Sequence, residues 1–344
     1  MKIAIDAMGG DIGPQVTVNA AVKAAREYGL SLFLVGQADA LSSELSKHDA
    51  TGLDLTIKEA SQVVSMDDLP SSAIRQKKDS SIQVAANLVK AGEADGMVSA
   101  GNTGVVMATA KIFFKALEGI DRPAITTIMP TIKGVCLILD VGANVDSKPR
   151  HLLQFAIMGN AYAQQVLHIP KPSVGILSIG SEDSKGNVLT RTAFNLLKQL
   201  PINFIGNVEG RDIFRGNVDV VVTDGFVGNV TLKVGEGVAE MIRTLIYNEV
   251  KRSLLAKLGF LFMRPALRNI KKKVDYAEYG GAPLLGLNKV CIICHGMSGT
   301  KAIKNAIRIA SECISKQVNS QITHDILSSR RLIEQKEVPL GEVC

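Results

Sequence analysis

Glu182 and Lys185 stand three residues apart in Ser178-Ile179-Gly180-Ser181-Glu182-Asp183-Ser184-Lys185-Gly186. The plain reading of that pair is a surface salt bridge. The other is a lysine that holds a phosphate as a point charge in a turn opened by glycines. His295 follows the apolar run 290–294 and is either a satisfied structural histidine or a proton donor and oxyanion partner, since imidazole titrates near neutrality. Asn229, just after Gly228 at an expected helix start, can cap or contact a ligand. Asp6 and Asp11 flank Gly9 and Gly10, where they either cap the first helix or shape an anion or thiol pocket. Asp140 and Asn144 close another apolar run and read equally as turn-making or as site residues.

Ser99-Ala100-Gly101-Asn102-Thr103-Gly104 is the clearest of these turns. Met97 and Val98 precede it, and Val105, Val106, Ala108, Ile112, Phe113 and Ala116 follow at helical spacing. Gly101 and Gly104 admit a close ligand, and Asn102 or Thr103 can cap the helix. A helix start offers free N–H groups and the positive end of the dipole, which suits an anion. The turn has neither the G-x-G-x-x-G of dinucleotide folds nor the G-K-[ST] of a P-loop.

Strands and helices alternate around these turns. Strands are expected at 2–5, 32–35, 53–57, 124–129, 135–139, 174–177, 203–205, 218–222 and 290–294. Helices are expected at 14–28, 38–47, 81–91, 105–117, 149–165, from 186 to 200, over much of 230–273 and to about 318. Residues 61–79 read as polar and irregular, and the end of the chain as a short helix with a tail at 331–344. The pattern predicts a mostly parallel sheet covered by helices on both faces, an α/β/α sandwich formed by one domain over 1–330. Ligands in such sheets sit beyond the carboxyl ends of the strands. The turns after Ile5, Val98, Leu139, Leu177, Val222 and Cys294 are therefore expected to converge on one edge as one composite site.

The 344 residues are 46% hydrophobic, with 31 glycines and no tryptophan, which fits an α/β enzyme better than a β-sandwich. A net charge of +6 favours anionic partners but is too small to mark a nucleic-acid protein. Residues 1–6 run straight into a strand, and no apolar run approaches the ~20 residues of a spanning helix. Cys136, Cys291, Cys294, Cys313 and Cys344 are expected as reduced thiols of an intracellular protein. Cys291-Ile292-Ile293-Cys294-His295 matches C-x-x-C-H, but in a strand residues three apart face opposite sides, so neither haem nor zinc is expected.

The chain resembles the bacterial phosphate acyltransferases of phospholipid synthesis. The likeness spans about 1–330 and rests on Ile5-Asp6-Ala7-Met8-Gly9-Gly10-Asp11, Ser99-Ala100-Gly101-Asn102-Thr103-Gly104, Leu139-Asp140-Val141-Gly142-Ala143-Asn144, Gly225-Phe226-Val227-Gly228-Asn229, Gly280-Gly281-Ala282-Pro283-Leu284-Leu285-Gly286 and His295-Gly296-Met297-Ser298. Met297 and Gly13 depart slightly from the usual pattern. The resemblance implies an isopropylmalate-dehydrogenase/phosphotransacetylase-like fold, usually a homodimer. It also implies a reaction: a long-chain acyl thioester on acyl carrier protein plus inorganic phosphate gives acyl phosphate, for use by a membrane glycerol-3-phosphate acyltransferase. No cofactor or metal is implied. Phosphate is already ionised at neutral pH, so the protein must hold two anions together rather than activate a nucleophile. Lys185 and the Asn102-Thr103 turn are then expected to hold phosphate, with Asn229 or His295 polarising the thioester. Asp6, Gly9, Gly10, Asp11, Ser99, Gly101, Asp140, Asn144, Glu182 and Ser298 are expected to complete the substrate site. Two other readings stay open: a nicotinamide-dependent decarboxylating dehydrogenase, and a non-catalytic protein that binds acyl carrier or lipid.

Residues 230–275 carry Val238, Met241, Ile242, Leu245, Ile246, Val250, Leu254 and Leu258 as an apolar stripe. Gly259 and Pro265 are expected to break the helix into a protruding hairpin. Its tip would present Leu254, Leu255, Leu258, Phe260, Leu261, Phe262 and Met263. Lys251, Arg252, Lys257, Arg264, Arg268, Lys271, Lys272 and Lys273 surround that tip with no acidic residue between 251 and 273. Such a tip suits the anionic inner face of the cell membrane, making the protein cytoplasmic and peripheral; a dimer interface or a carrier-docking surface is the alternative.

Overall fold

The structure is a computed structural model that describes residues 1–274 and 276–335. Along the chain come β1 (Lys2–Asp6), α1 (Pro14–Tyr28), β2 (Ser31–Gly36), α2 (Ala38–Leu45), β3 (Leu55–Glu59), α3 (Pro70–Gln76), α4 (Ser81–Lys90), β4 (Gly96–Ser99) and α5 (Thr103–Phe114). The middle holds β5 (Ala124–Pro130), β6 (Val135–Leu139), α6 (Pro149–Gln165), β7 (Ser173–Leu177), α7 (Val188–Leu197), β8 (Asn203–Val208), α8 (Gly210–Arg215) and β9 (Val220–Val222). Then follow α9 (Gly225–Arg252), α10 (Leu254–Val274), β10 (Ala282–Leu285), β11 (Val290–Ile293), α11 (Thr300–Ser315) and α12 (Val318–Gln335).

The strands form one eleven-stranded sheet in the order β3-β2-β1-β4-β11-β10-β5-β6-β9-β7-β8. Strand alternation divides the core. Ile3, Ile5, Leu137, Leu139 and Ile292 pack with α1, α6, α11 and α12 on one face. Ala4, Met97, Cys136, Ile138, Cys291 and Ile293 pack with α4, α5 and α8 on the other. Cys294 joins the first face and Cys291 the second, as the strand reading of C-x-x-C-H requires.

The sheet is mostly parallel, but in two blocks of opposite direction. β3, β2, β1, β4 and β11 run together. β10 is antiparallel to both β11 and β5, and β5 is antiparallel to β6. β6, β9, β7 and β8 are again parallel to one another. Two neighbouring antiparallel strands and one hairpin make three reversals, so the second block points opposite to the first. The turns after Ile5, Val98 and Cys294 leave from one end of the strand ladder, and those after Leu139, Leu177 and Val222 from the other. The expected convergence of all six on one edge therefore fails.

Several elements differ from expectation for local reasons. α3 lies inside the stretch read as irregular; it buries only Ala73, too little for an apolar period to register. α8 is a six-residue helix of the same kind, and β10 hides in the glycine-rich 280–286 segment. α12 is long rather than short, anchored by Val318, Ile322 and Ile326 at four-residue steps. The tail expected at 331–344 begins inside α12, and 336–344 lie outside the described residues.

The break in the protruding helices falls at Ser253, and Gly259 and Pro265 lie within α10. Ser253 is extended, at φ −130° and ψ 134°. Its Oγ accepts the Ala256 N–H at 3.3 Å and its carbonyl the Lys257 N–H at 3.0 Å, so a serine cap starts α10. The stripe along α9 is left open: Val238, Met241, Ile242, Leu245 and Ile246 are 45–57% exposed. No helix among the described residues is long and apolar enough to cross a membrane.

Candidate active site

At the end of the first block, Asp6 is fully buried. Ser99 Oγ donates to its Oδ2 at 2.6 Å and accepts the Gly101 N–H at 3.0 Å, so one hydroxyl ties β1 to the β4–α5 turn. Burial pushes the Asp6 carboxyl above the usual carboxylate range, and hydrogen bonds from Ser81, Ser99 and the Met8 and Gly9 backbone pull it partly back. Its Oδ1 has no partner. A Cβ on Gly9 would lie 2.5 Å from Asp6 Oδ2 and 2.7 Å from Gly101 N, so the two turns touch through glycine. The Asp11 N–H donates to Gly296 O at 2.9 Å and brings in the third turn. A shallow crevice results, lined by Gly9, Gly10, Ala100, Gly296, Ser298 and Ile303. α1, α5 and α11 all start beside it.

Asn102 caps α5: its Oδ1 accepts the Val105 N–H at 3.2 Å. Its Nδ2 donates to Met66 O at 2.6 Å and Asp68 O at 3.0 Å, so this side chain is spent on positioning the turn. Thr103 beside it is exposed. Neither Asp6 nor Asp11 caps α1, whose cap position is Gly13 without a side-chain bond. His295 is exposed, and its Nδ1 accepts the Met297 N–H at 3.2 Å. A nitrogen that accepts carries no proton, so the neutral ring keeps its proton on Nε2, available as a donor. Ser298 is buried behind it and donates its N–H to His295 O at 2.9 Å.

The end of the second block is built around Asp140, also fully buried. Oδ1 accepts from the N–H groups of Ile125 (3.0 Å), Gly142 (3.3 Å) and Ala143 (3.0 Å). Oδ2 accepts from Asn144 N at 2.6 Å and Nδ2 at 2.9 Å. Burial raises this carboxyl's pKa, and the donors around it work against that rise. Asn144 Nδ2 also reaches Pro123 O at 2.8 Å. Asp140 and Asn144 thus hold this turn together from inside.

α9 docks on this turn. A Cβ on Gly228 would lie 1.9 Å from Asp140 O, and one on Gly225 2.6 Å from Asn144 O. Asn229 lies inside α9 and donates from Nδ2 to Val141 O at 3.0 Å. The cap is Asp224, whose Oδ1 accepts the Phe226 and Val227 N–H groups at 3.0 and 2.9 Å. An aspartate just ahead of Gly225 was the available signal for that cap.

In the β7–α7 turn, Glu182 and Lys185 are both exposed and fold over Gly180. The salt bridge between them is not formed, and Lys185 has no ion-pair partner among the described residues. Asn187, two residues after the lysine, caps α7 by accepting the Thr190 N–H at 2.9 Å. Asn207 holds the turn by donating to Glu182 O at 2.7 Å. Sequence patterning had no means to find Asn207, which arrives from β8 across the sheet.

Similarity to known proteins agrees with this picture. A family model described as "Fatty acid synthesis protein" matches residues 1–321. A phosphate acyltransferase of Geobacter sulfurreducens is 57% identical over 322 residues, covering 94% of this chain and 93% of its own. One from Geotalea daltonii is 54% identical over 336 residues, covering 98% and 97%. Among solved structures, a phosphotransacetylase from Streptococcus pyogenes superposes with a TM-score of 0.62 at 19% identity, covering 93% and 94% of the two chains. A branched-chain phosphotransacylase from Enterococcus faecalis gives 0.51 at 13% identity over 90% and 98%. At these identities the structures speak for the shared fold. The sequence relatives decide the rest: this chain belongs to the phosphate acyltransferases of the fatty acid synthesis protein family.

Proposed function

We propose that the chain carries a long-chain acyl group from acyl carrier protein to inorganic phosphate by direct attack. Acyl transfer to phosphate, in the service of phospholipid synthesis, is the family's activity and this chain's. A phosphate oxygen forms a bond to the thioester carbonyl carbon, the C–S bond breaks, and the carrier thiolate leaves with the electron pair. Lys185 holds the phosphate, and Asn229, at the same end of the sheet, steadies the carbonyl oxygen as charge builds there, whereas His295 lies at the opposite end. Asp6, Asp140, Asn144 and Asn102 position the turns from inside.

The observation that carries direct attack is the state of the thiols. Cys136, Cys291, Cys294 and Cys313 are buried, and burial pushes each up to about 12, so none offers a thiolate nucleophile at neutral pH. Mixing the protein with an acyl-carrier thioester and phosphate should release free thiol in step with acyl phosphate. Thiol release without acyl phosphate, or an acylated protein caught by mass spectrometry, would overturn direct attack. A decarboxylating dehydrogenase is not favoured, since the near-full-length relatives are acyltransferases.

The α9 stripe is the surface through which two copies pair. The first half of α10 is a membrane tip, with Leu254, Leu255 and Phe262 78–83% exposed. Cations supply attraction to an anionic bilayer, where the acyl phosphate is handed to a membrane acyltransferase for glycerol 3-phosphate. This makes the protein a cytoplasmic homodimer bound peripherally at the inner face. The double variant Leu258→Asp with Phe262→Asp should stay dimeric and active on soluble carrier, yet stop sedimenting with anionic vesicles. Retained vesicle binding, or a dimer that falls apart, would show that the tip is an interface instead.

A further inference from the structure

We propose that Val145, Ile179 and Phe226 form the platform on which the acyl chain of the thioester lies, and that they set the preference for chain length. The inference rests on the reading of Lys185 and Asn229 as the groups that meet the substrate. It begins from three side chains that folding leaves uncovered. Ile179 is 85% exposed, Val145 60% and Phe226 60%. Single apolar side chains on a surface are ordinary, but neighbouring ones mark a ligand or a partner.

These three are neighbours by topology. Val145 follows β6, Phe226 follows β9 and Ile179 follows β7, and those strands are consecutive in the sheet in the order β6-β9-β7. All three strands run in one direction, so their turns leave the same end. At about 4.8 Å per strand the outer two turns start roughly 10 Å apart. Close contacts tie the three to the site. A Cβ on Gly225 would lie 2.6 Å from Asn144 O, which sets Phe226 and Val145 on either side of one backbone contact. A Cβ on Gly180 would lie 3.1 Å from Lys185 Cγ, so Ile179 stands one residue from the lysine stem. Asn229, one turn along the helix that begins at Gly225, donates to Val141 O at 3.0 Å in the turn that carries Val145.

The reaction decides what occupies this patch. A carbonyl carbon under attack must come within about 3–3.5 Å of the phosphate oxygen. The first methylenes of the acyl chain are bonded to that carbon, so they fall on whatever surrounds Lys185 and Asn229. Polar and apolar residues share these turns: the polar ones hold the anions, and the apolar ones take the chain out of water. A protein partner seated here would leave those methylenes without a surface. Phe226 also stands well before the stripe at 238–246 through which two copies pair, so the platform is separate from that face.

The experiment is a chain-length profile. Thiol release is followed with carriers bearing acyl groups from butyryl to palmitoyl. Wild type is compared with the double variant Ile179→Ser with Phe226→Ser, and with Ile179→Leu with Phe226→Met. In wild type kcat/KM should climb with length, chiefly through KM. A fully buried methylene is worth about fourfold in binding, and a half-covered one about twofold. The serine variant should flatten that climb, losing about tenfold on palmitoyl and less than about twofold on butyryl. Its melting should not change, because both side chains are exposed. The Leu/Met variant should keep the climb. A flat wild-type profile, an equal loss at every length, or a serine variant that climbs like wild type overturns the platform. A serine variant that light scattering finds dissociated would make the patch an interface and overturn it as well. Lys185→Ala separates this from the reading beneath it, since it should lower every length by one factor. Full turnover in Lys185→Ala overturns the site and the platform together. A uniform loss there beside an unflattened serine profile overturns the platform alone.

Discussion

Replacing Asp6 with asparagine isolates the cost of a buried acid. The carboxyl has no exposed surface, one oxygen on Ser99 and the other without a partner. Burial places its folded pKa above the ordinary range, so between the unfolded and folded values the folded chain binds more protons. Its contribution to stability is therefore fully present below the unfolded pKa. It is lost as pH rises through the window, at about 1.4 kcal/mol for each pH unit of that window. Asparagine has no such proton to lose and still offers Ser99 an oxygen. Its amide leaves buried donors where Oδ1 was unpartnered, a penalty of about 1–3 kcal/mol that does not change with pH. The melting temperature of Asp6→Asn minus that of wild type should thus rise between pH 4 and 8. Each pH unit of the window is worth roughly 2–4 °C for a large domain. Circular dichroism melts across that range measure it. A difference that stays flat with pH would mean that Asp6 is an ordinary ionised carboxylate, and would refute the reasoning.

Lys185→Ala should lower turnover about ten- to a hundredfold at limiting phosphate, the loss of one charge-assisted contact of about 1.5–3 kcal/mol, with melting unchanged. Unaltered phosphate dependence would remove Lys185 from that role. Because burial pushes the Cys291 and Cys294 thiols up to about 12, iodoacetamide on the folded protein should leave turnover intact. Rapid inactivation with label on either residue would contradict that. Gly228→Ala puts a methyl 1.9 Å from Asp140 O and 2.9 Å from Thr223 Cγ2, so α9 must lift off the turn. A loss of about 3 kcal/mol in a denaturant melt is expected, and a neutral result would show that the helix start is free to shift.

The sequence alone determined the local pieces. The residues of β1, β6, α1 and α6 announce themselves by short apolar runs or by three- and four-residue spacing, and Pro14 and Pro149 mark helix starts at the first helical position. The glycine-rich turns, the Asn102 cap and the strand placement of Cys291 and Cys294 are legible for the same reason: each is set by neighbours a few residues away. Those short motifs, in their order, also carried the family resemblance. What the sequence could not decide was direction across the sheet. β10 shows no strand period in its glycine-flanked segment, yet its two antiparallel pairings keep β5 parallel to β11, so that the β5–β6 hairpin turns the second block around. It also separates Lys185 and Asn229 from His295. Burial was equally out of reach. Asp6 and Asp140 sit in turns that read like surface, and they are interior because glycines let backbone from distant turns close over them. The α9 stripe has a core-like period but no core of its own chain to meet. Periodicity records that a face is apolar; only the assembled fold determines whether anything in the same chain is there to cover it.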